Sequence, residues 1–157
     1  MIYFECYSDQ AFLTGVGILS KNTEHSFSKG NVCNKLQKNH SSIGLADEDP
    51  NEIQPRFIKY LVEAQRKFYE DQYLIFFSDP KTNNKLILIR PNIEAWSIRI
   101  ANELKIDLEA FGLSSDHRKL HARLGFAKNH RELESFSNFF RNAAMHSSIV
   151  KIKEFIK

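Results

Sequence analysis

Cysteine is scarce in this chain: Cys6 and Cys33 are the only two. So small a set builds neither a disulfide framework nor a zinc ligand set, and both residues read as buried thiols. Glycine and proline are sparse as well, six and four residues, which leaves little room for long linkers. No apolar run approaches the roughly 20 residues of a membrane span. The N-terminus lacks a basic segment followed by an apolar stretch, so no signal peptide is expected and the cytoplasm is the simplest compartment. Neither sign of charge dominates, the net being +3.

What the chain does have is apolar material: 42% of its 157 residues are hydrophobic and 12% aromatic, with thirteen Phe beside a single Trp. That excludes a disordered chain and suits one domain. The charge is unevenly spread. Residues 1–112 hold 13 basic and 15 acidic side chains, a balance of −2, and residues 113–157 hold 9 and 4, a balance of +5. An acidic half beside a basic tail suits a protein that handles a phosphate backbone, although charges on exposed helix faces are ordinary.

The pattern at the start alternates strand and helix. Ile2–Glu5 reads as a strand, Asp9–Val16 as a helix capped by Ser8 or Asp9, and His25–Ser28 as a second strand. Lys29-Gly30-Asn31 reads as a turn, Val32–Lys38 as a helix and Ser42–Asp47 as a strand covered on both faces. Such alternation demands parallel neighbours. A helix over Arg56–Tyr69, strands over Tyr73–Phe77 and Lys85–Ile89, and helices over Ile93–Leu104, His117–Leu124, Glu132–Ala144 and Ser147–Ile156 follow, the last capped by Ser147 or Ser148. The expectation is an α/β protein, a mainly parallel sheet flanked by helices. A core over 1–112 carries a helical C-terminal extension, 113–157, packed on the same domain.

Acidic residues stand where strands end. Glu5 closes the first apolar run, and Asp47 and Asp49 close the third. Side chains at i and i+2 of an extended segment point the same way, so Asp47 and Asp49 can converge, and Glu5 joins them if the two strands are neighbours. Three such carboxylates repel one another unless a cation sits between them, and all-oxygen sites suit Mg²⁺ or Mn²⁺. Acids at strand ends also cap helices or pair with lysines. His117 and His121 have metal-ligand spacing but no third ligand, and read as solvated or capping residues.

The ordered set Phe4-Glu5-Cys6, Ser28-Lys29-Gly30-Asn31 and Leu45-Ala46-Asp47-Glu48-Asp49-Pro50 resembles the Toprim domain of topoisomerases, primases and several nucleases. That family has a Glu after the first strand, a Gly after the second and an Asp-x-Asp after the third. The resemblance covers roughly the first 90 residues; Cys6 stands where the family often has Gly. The segment Ile93-Glu94-Ala95-Trp96 is similar to one in OLD-like and RloB-like Toprim proteins. That likeness implies Glu94 as a fourth carboxylate, an ATPase partner protein, and a setting in DNA repair or in defence against mobile DNA.

The residue types make chemical sense. A cation on Asp47 and Asp49 polarises a phosphoryl oxygen, and Glu5 ligates a second ion or acts as general base. Gly30 lets backbone approach a phosphate, and Lys29 neutralises developing charge. Asp9 either steers a ligand water or caps its helix. The expectation is a metal-dependent nuclease acting on nucleic acid, DNA rather than RNA, with no membrane association. The alternative is a non-catalytic accessory subunit of an ATPase or nucleic-acid complex. A phosphate-acceptor switch fits less well, because only Glu5 directly follows the first strand.

Overall fold

The computed structural model describes residues 1–18, 20–125 and 130–157. The chain clusters into two compact units, one of Met1–Cys6 and Lys21–Asn92, the other of Tyr7–Ser20 and Ile93–Lys157. Among the described residues no helix is long and apolar enough to cross a membrane. The protein is α/β, and its described residues form six strands in one mixed sheet and seven α-helices.

The first unit carries the sheet. Strands β1 (Ile2–Phe4), β2 (Thr23–His25), β3 (Ile43–Asp47), β4 (Lys67–Glu70), β5 (Leu74–Asp79) and β6 (Asn84–Ile89) lie in the order β2-β1-β3-β6-β5-β4. β1 is parallel to β2 and β3, and β3 to β6, while β5 runs antiparallel to both β6 and β4. Only β5 therefore points against the rest. The short link from Asp79 to Asn84 permits that hairpin, whereas parallel neighbours need longer crossovers.

β3 occupies the middle, and its Leu45 and Ala46 are fully enclosed. Val32 and Leu36 of helix α2 (Lys29–Lys38) and Phe57, Ile58 and Leu61 of α3 (Arg56–Glu63) join one core cluster with Tyr3, Ala46, Phe77, Leu86 and Leu88 of the sheet. Gly44 makes the close approach of α2 possible: a Cβ there would meet Val32 and Leu36 at 2.8 Å and Leu86 at 2.9 Å. Buried Asn84 ties the end of α2 to the sheet. Its Nδ2 donates to Leu36 O at 2.5 Å and Asn39 O at 2.8 Å, and its Oδ1 accepts from Ser42 N at 2.9 Å.

The second unit is helical: α1 (Tyr7–Gly15), α4 (Ile93–Leu104), α5 (His117–Leu124), α6 (His130–Asn142) and α7 (Ser147–Ile156). Phe12, Trp96 and Phe140 form its centre, with ring centroids 4.9–5.5 Å apart. Gly15 lets α1 lie against α6, since a Cβ would stand 2.4 Å from Ser137 O. Trp96 Nε1 donates to Ser148 Oγ at 3.1 Å, Ser148 Oγ lies 2.7 Å from His146 Nδ1, and His146 Nε2 reaches Glu103 Oε2 at 2.8 Å.

Several local expectations are corrected. The helix expected over 56–69 stops at Glu63, because Gln65 takes a left-handed φ of +55°, and Lys67–Glu70 becomes edge strand β4. The turn expected at Lys29-Gly30-Asn31 is the first turn of α2, capped by Ser28, whose Oγ accepts from Asn31 N at 3.2 Å. β2 ends at His25 rather than Ser28, because Phe27 has a left-handed φ of +67°. Ser8 and Asp9 lie inside α1 and do not cap it, and α7 is capped by His146 rather than by a serine.

Candidate active site

The parallel pairing Phe4↔Leu45 of β1 with β3 brings the residues after Phe4 and Leu45 to the same edge of the sheet. Glu5 follows β1 directly and Asp47 ends β3. There the Glu5 carboxylate accepts the main-chain N–H of Asp47, at 3.3 Å to Oε2. It also accepts the main-chain N–H of Lys29 at the start of α2. Burial raises the Glu5 pKa above its ordinary value. The two N–H groups and the Lys29 ammonium act against that rise, and the charge of Asp49 adds to it.

Lys29 joins these pieces. Its side chain is buried, and Nζ donates to Asp47 O at 3.1 Å, Glu48 O at 2.8 Å and Asp49 Oδ2 at 3.5 Å. Three successive residues of the β3 exit are thus held by one ammonium. Asp49 has a left-handed φ of +43°, which a residue with a short polar side chain tolerates, and its N–H donates to Pro91 O at 2.9 Å. Gln54 closes the loop from below, Nε2 donating to Glu48 O and Asp49 O at 3.0 Å each. Gly30 is the second residue of α2, and a Cβ there would meet only Ser28 Oγ, at 3.9 Å, so its side of the helix start is open.

Glu48, between the two aspartates, turns to Arg90. Arg90 Nε donates to Glu48 Oε2 at 3.0 Å, and Nη1 donates to Glu70 Oε1 at 3.0 Å and Asp71 O at 2.8 Å. The hydrogen bond to Glu48 holds the Arg90 guanidinium above its ordinary pKa. The Arg90 and Gln54 contacts lacked any motif that could announce them. His25 was legible only as a residue near the second strand. The register Phe4↔His25 sets it beside β1, where Nε2–H donates to Glu5 O at 3.0 Å. Burial lowers the His25 pKa and pushes the Cys33 thiol up to about 12, which disfavours its thiolate.

Glu94 and Asp9 belong to the second unit, both buried there. Glu94 Oε1 accepts from Ser8 Oγ at 3.3 Å and lies 3.5 Å from His121 Nδ1.

Oxygen donors alone line the β3 exit, carboxylates and main-chain carbonyls, which is the chemistry of a Mg²⁺ or Mn²⁺ site. The donor types at Glu5, Asp47 and Asp49 fit such an ion. As they stand, the Asp49 carboxylate pairs with Lys29 and the Glu5 carboxylate accepts the Asp47 N–H, and among the described residues no group of three or more His, Cys, Asp or Glu is arranged to hold a metal. No family model matches the chain, and neither does any curated protein or solved structure.

Proposed function

We propose that the carboxyl ends of β1 and β3 carry divalent-cation-dependent phosphodiester chemistry on nucleic acid, as a Toprim-type nuclease. The observation that carries this reading is the junction of Glu5 with the main-chain N–H of Asp47, beside a buried Lys29 bonded across residues 47–49. Two acids distant in sequence meet at the strand ends where ligands of open α/β sheets bind.

In this reading Asp47 and Asp49 would hold Mg²⁺ or Mn²⁺, with Glu5 as a further ligand or as general base, and the ion would supply polarisation of a phosphoryl oxygen and a more acidic water. Glu5 accepts a proton from the attacking water, a role served by its raised pKa. Lys29 offsets charge that develops on the phosphoryl group. The open side of α2 at Gly30 brings main-chain N–H groups of a helix start to a substrate phosphate. The substrate is DNA in preference to RNA, and the setting is repair or defence against mobile DNA.

A second reading rests on Lys29. An ammonium that already neutralises the β3 exit favours a non-catalytic subunit of an ATPase or nucleic-acid complex. One experiment separates the two. Wild type and Asp47→Ala are incubated with plasmid and single-stranded substrates under Mg²⁺, Mn²⁺ or chelator. Metal-dependent cleavage that Asp47→Ala abolishes supports the nuclease, and intact substrate under every condition overturns it.

A further inference from the structure

Beside the strand ends just described, the outer edge of the sheet carries an aromatic residue that no packing need explains. Phe27 is 74% exposed, although it stands two residues past the end of β2 and its neighbour Ser26 is buried. Its φ of +67° is a conformation that bulky L-residues avoid. The backbone thus holds the ring outward against its own steric preference. Beneath it the His25 ring lies 4.1 Å away between centroids, and His25 in turn stacks on Phe4 at 5.3 Å. The stack is anchored, because His25 Nε2–H donates to Glu5 O at 3.0 Å.

A groove of about 370 Å³ opens against this stack, lined by His25, Ser26 and Phe27 and by Asn34, Lys35 and Lys38 of α2. That volume is in the range of small-ligand sites. The Ser26 hydroxyl is 2% exposed by residue and has no hydrogen-bond partner among the described residues. A buried hydroxyl in that state costs free energy unless a ligand satisfies it. Lys35 is already paired with Glu24, but Lys38 is exposed with no ion-pair partner among the described residues. The groove therefore offers a flat aromatic face at Phe27, an exposed amide at Asn34 and a positive charge at Lys38. A nucleotide presents the matching groups: a base with a π-face, polar edges and a phosphate.

We infer that the groove beside β2 is a binding subsite for single-stranded nucleic acid, with a base stacked on Phe27, its edge at the Asn34 amide, and a phosphate at Lys38. A base inside a duplex is stacked on its neighbours and presents no free face, so the subsite selects single strands. The inference rests on the nucleic-acid reading above and names where the substrate strand is held.

The test is fluorescence anisotropy on the full chain with labelled 12-mers of thymidine or uridine nucleotides and a 12-base-pair duplex, in chelator so that binding is read apart from cleavage. Wild type is expected to bind the single strands more tightly than the duplex. Phe27→Ala is expected to weaken single-strand binding about tenfold, the size of one base–aromatic stack, and Phe27→Trp to restore it. Lys38→Ala is expected to weaken binding and to flatten its salt dependence. The thymidine and uridine arms separate DNA from RNA. Equal affinities of wild type and Phe27→Ala overturn the subsite even if the protein cleaves. Phe27-dependent binding without any cleavage supports it while the nuclease reading fails. Oligonucleotides left unbound by wild type overturn it too, as would occur if β2 instead took a peptide strand along its edge.

Discussion

Lys29 and Asp49 meet across the exit of β3: the lysine Nζ stands 3.5 Å from Asp49 Oδ2, and the residue is 5% exposed. The same ammonium takes the main-chain oxygens of Asp47 and Glu48, so it closes a loop that would otherwise present like partial charges to each other. A buried ammonium is tolerable only because oxygens replace its water.

Replacing that lysine therefore tests the geometry directly. Lys29→Met keeps most of the stem and removes every donor. Loss of the charged hydrogen bonds is expected to cost about 2–4 kcal/mol of folding stability. Ser28→Ala removes only the cap bond to Asn31 N, and is expected to cost about 1 kcal/mol. Urea denaturation measures both; a Lys29→Met loss no larger than that of Ser28→Ala would show that the ammonium does not organise the β3 exit.

The Glu5 carboxyl gives the protein a pH signature. Its folded-state pKa is raised, chiefly by burial, so the folded state holds this proton more tightly than the unfolded chain does. The stability this group contributes is fully present below the ordinary carboxylate pKa and is lost as pH rises through the raised value. Glu5→Gln cannot ionise and keeps an oxygen for the Asp47 N–H. In chelator, the variant is expected to gain stability over wild type as pH rises from 4 to 7, with little difference at the acid end. Thermal melts across that range check it, and parallel curves would mean that burial does not act on this carboxyl.

Much of this architecture could be read in the amino-acid order, for identifiable reasons. Ile43-Gly44-Leu45-Ala46 has no polar alternation, and only a strand covered on both faces tolerates that. The bounds 93–104, 117–124 and 147–156 were legible because apolar periodicity and flanking breakers agree there. β4 was not, since Phe57, Ile58 and Leu61 set a helical period that Phe68 happens to continue; the chain departs from it at the left-handed Gln65. At the site, the sequence allowed Glu5 and Asp47 to meet only if their strands were neighbours, and the pairing of β1 with β3 supplies that condition. The position of Lys29 among their oxygens was not legible, because it depends on α2 starting at that residue rather than three positions later. Gln54 and Arg90 reach the site through loop geometry, which leaves no periodic trace.

Two glycines stand where helices approach a neighbour closely, and they differ in what would have to move. A Cβ on Gly44 would press on the ends of Val32, Leu36 and Leu86, which can shift by rotating. A Cβ on Gly15 would stand 2.4 Å from the main-chain oxygen of Ser137 and 2.9 Å from Phe140 Cβ, and neither can step aside without α6 moving. Gly44→Ala is expected to cost about 1–3 kcal/mol, the usual range for an overfilled core. Gly15→Ala is expected to cost more, and to do so although alanine is the better helix former. Chemical denaturation ranks the pair, and the reverse order would contradict the packing of α1 against α6.

Cation binding at the strand ends has a readout that does not require turnover. An ion that binds the folded protein alone stabilises it by mass action, about 1.4 kcal/mol at ten times its dissociation constant. For a chain of this size that is a rise of roughly 3–6 °C in Tm. Wild type is expected to show such a rise with Mn²⁺ and a smaller one with Ca²⁺, whose preferred coordination is larger and looser. Asp47→Asn and Asp49→Asn are each expected to lose it, because the amide nitrogen cannot ligate and the charge is gone. Asp49 is the sharper probe, because an incoming ion must take its carboxylate from the Lys29 ammonium. A Tm indifferent to Mn²⁺ in wild type would leave Lys29 as the resident cation of this site and remove the support for the nuclease reading.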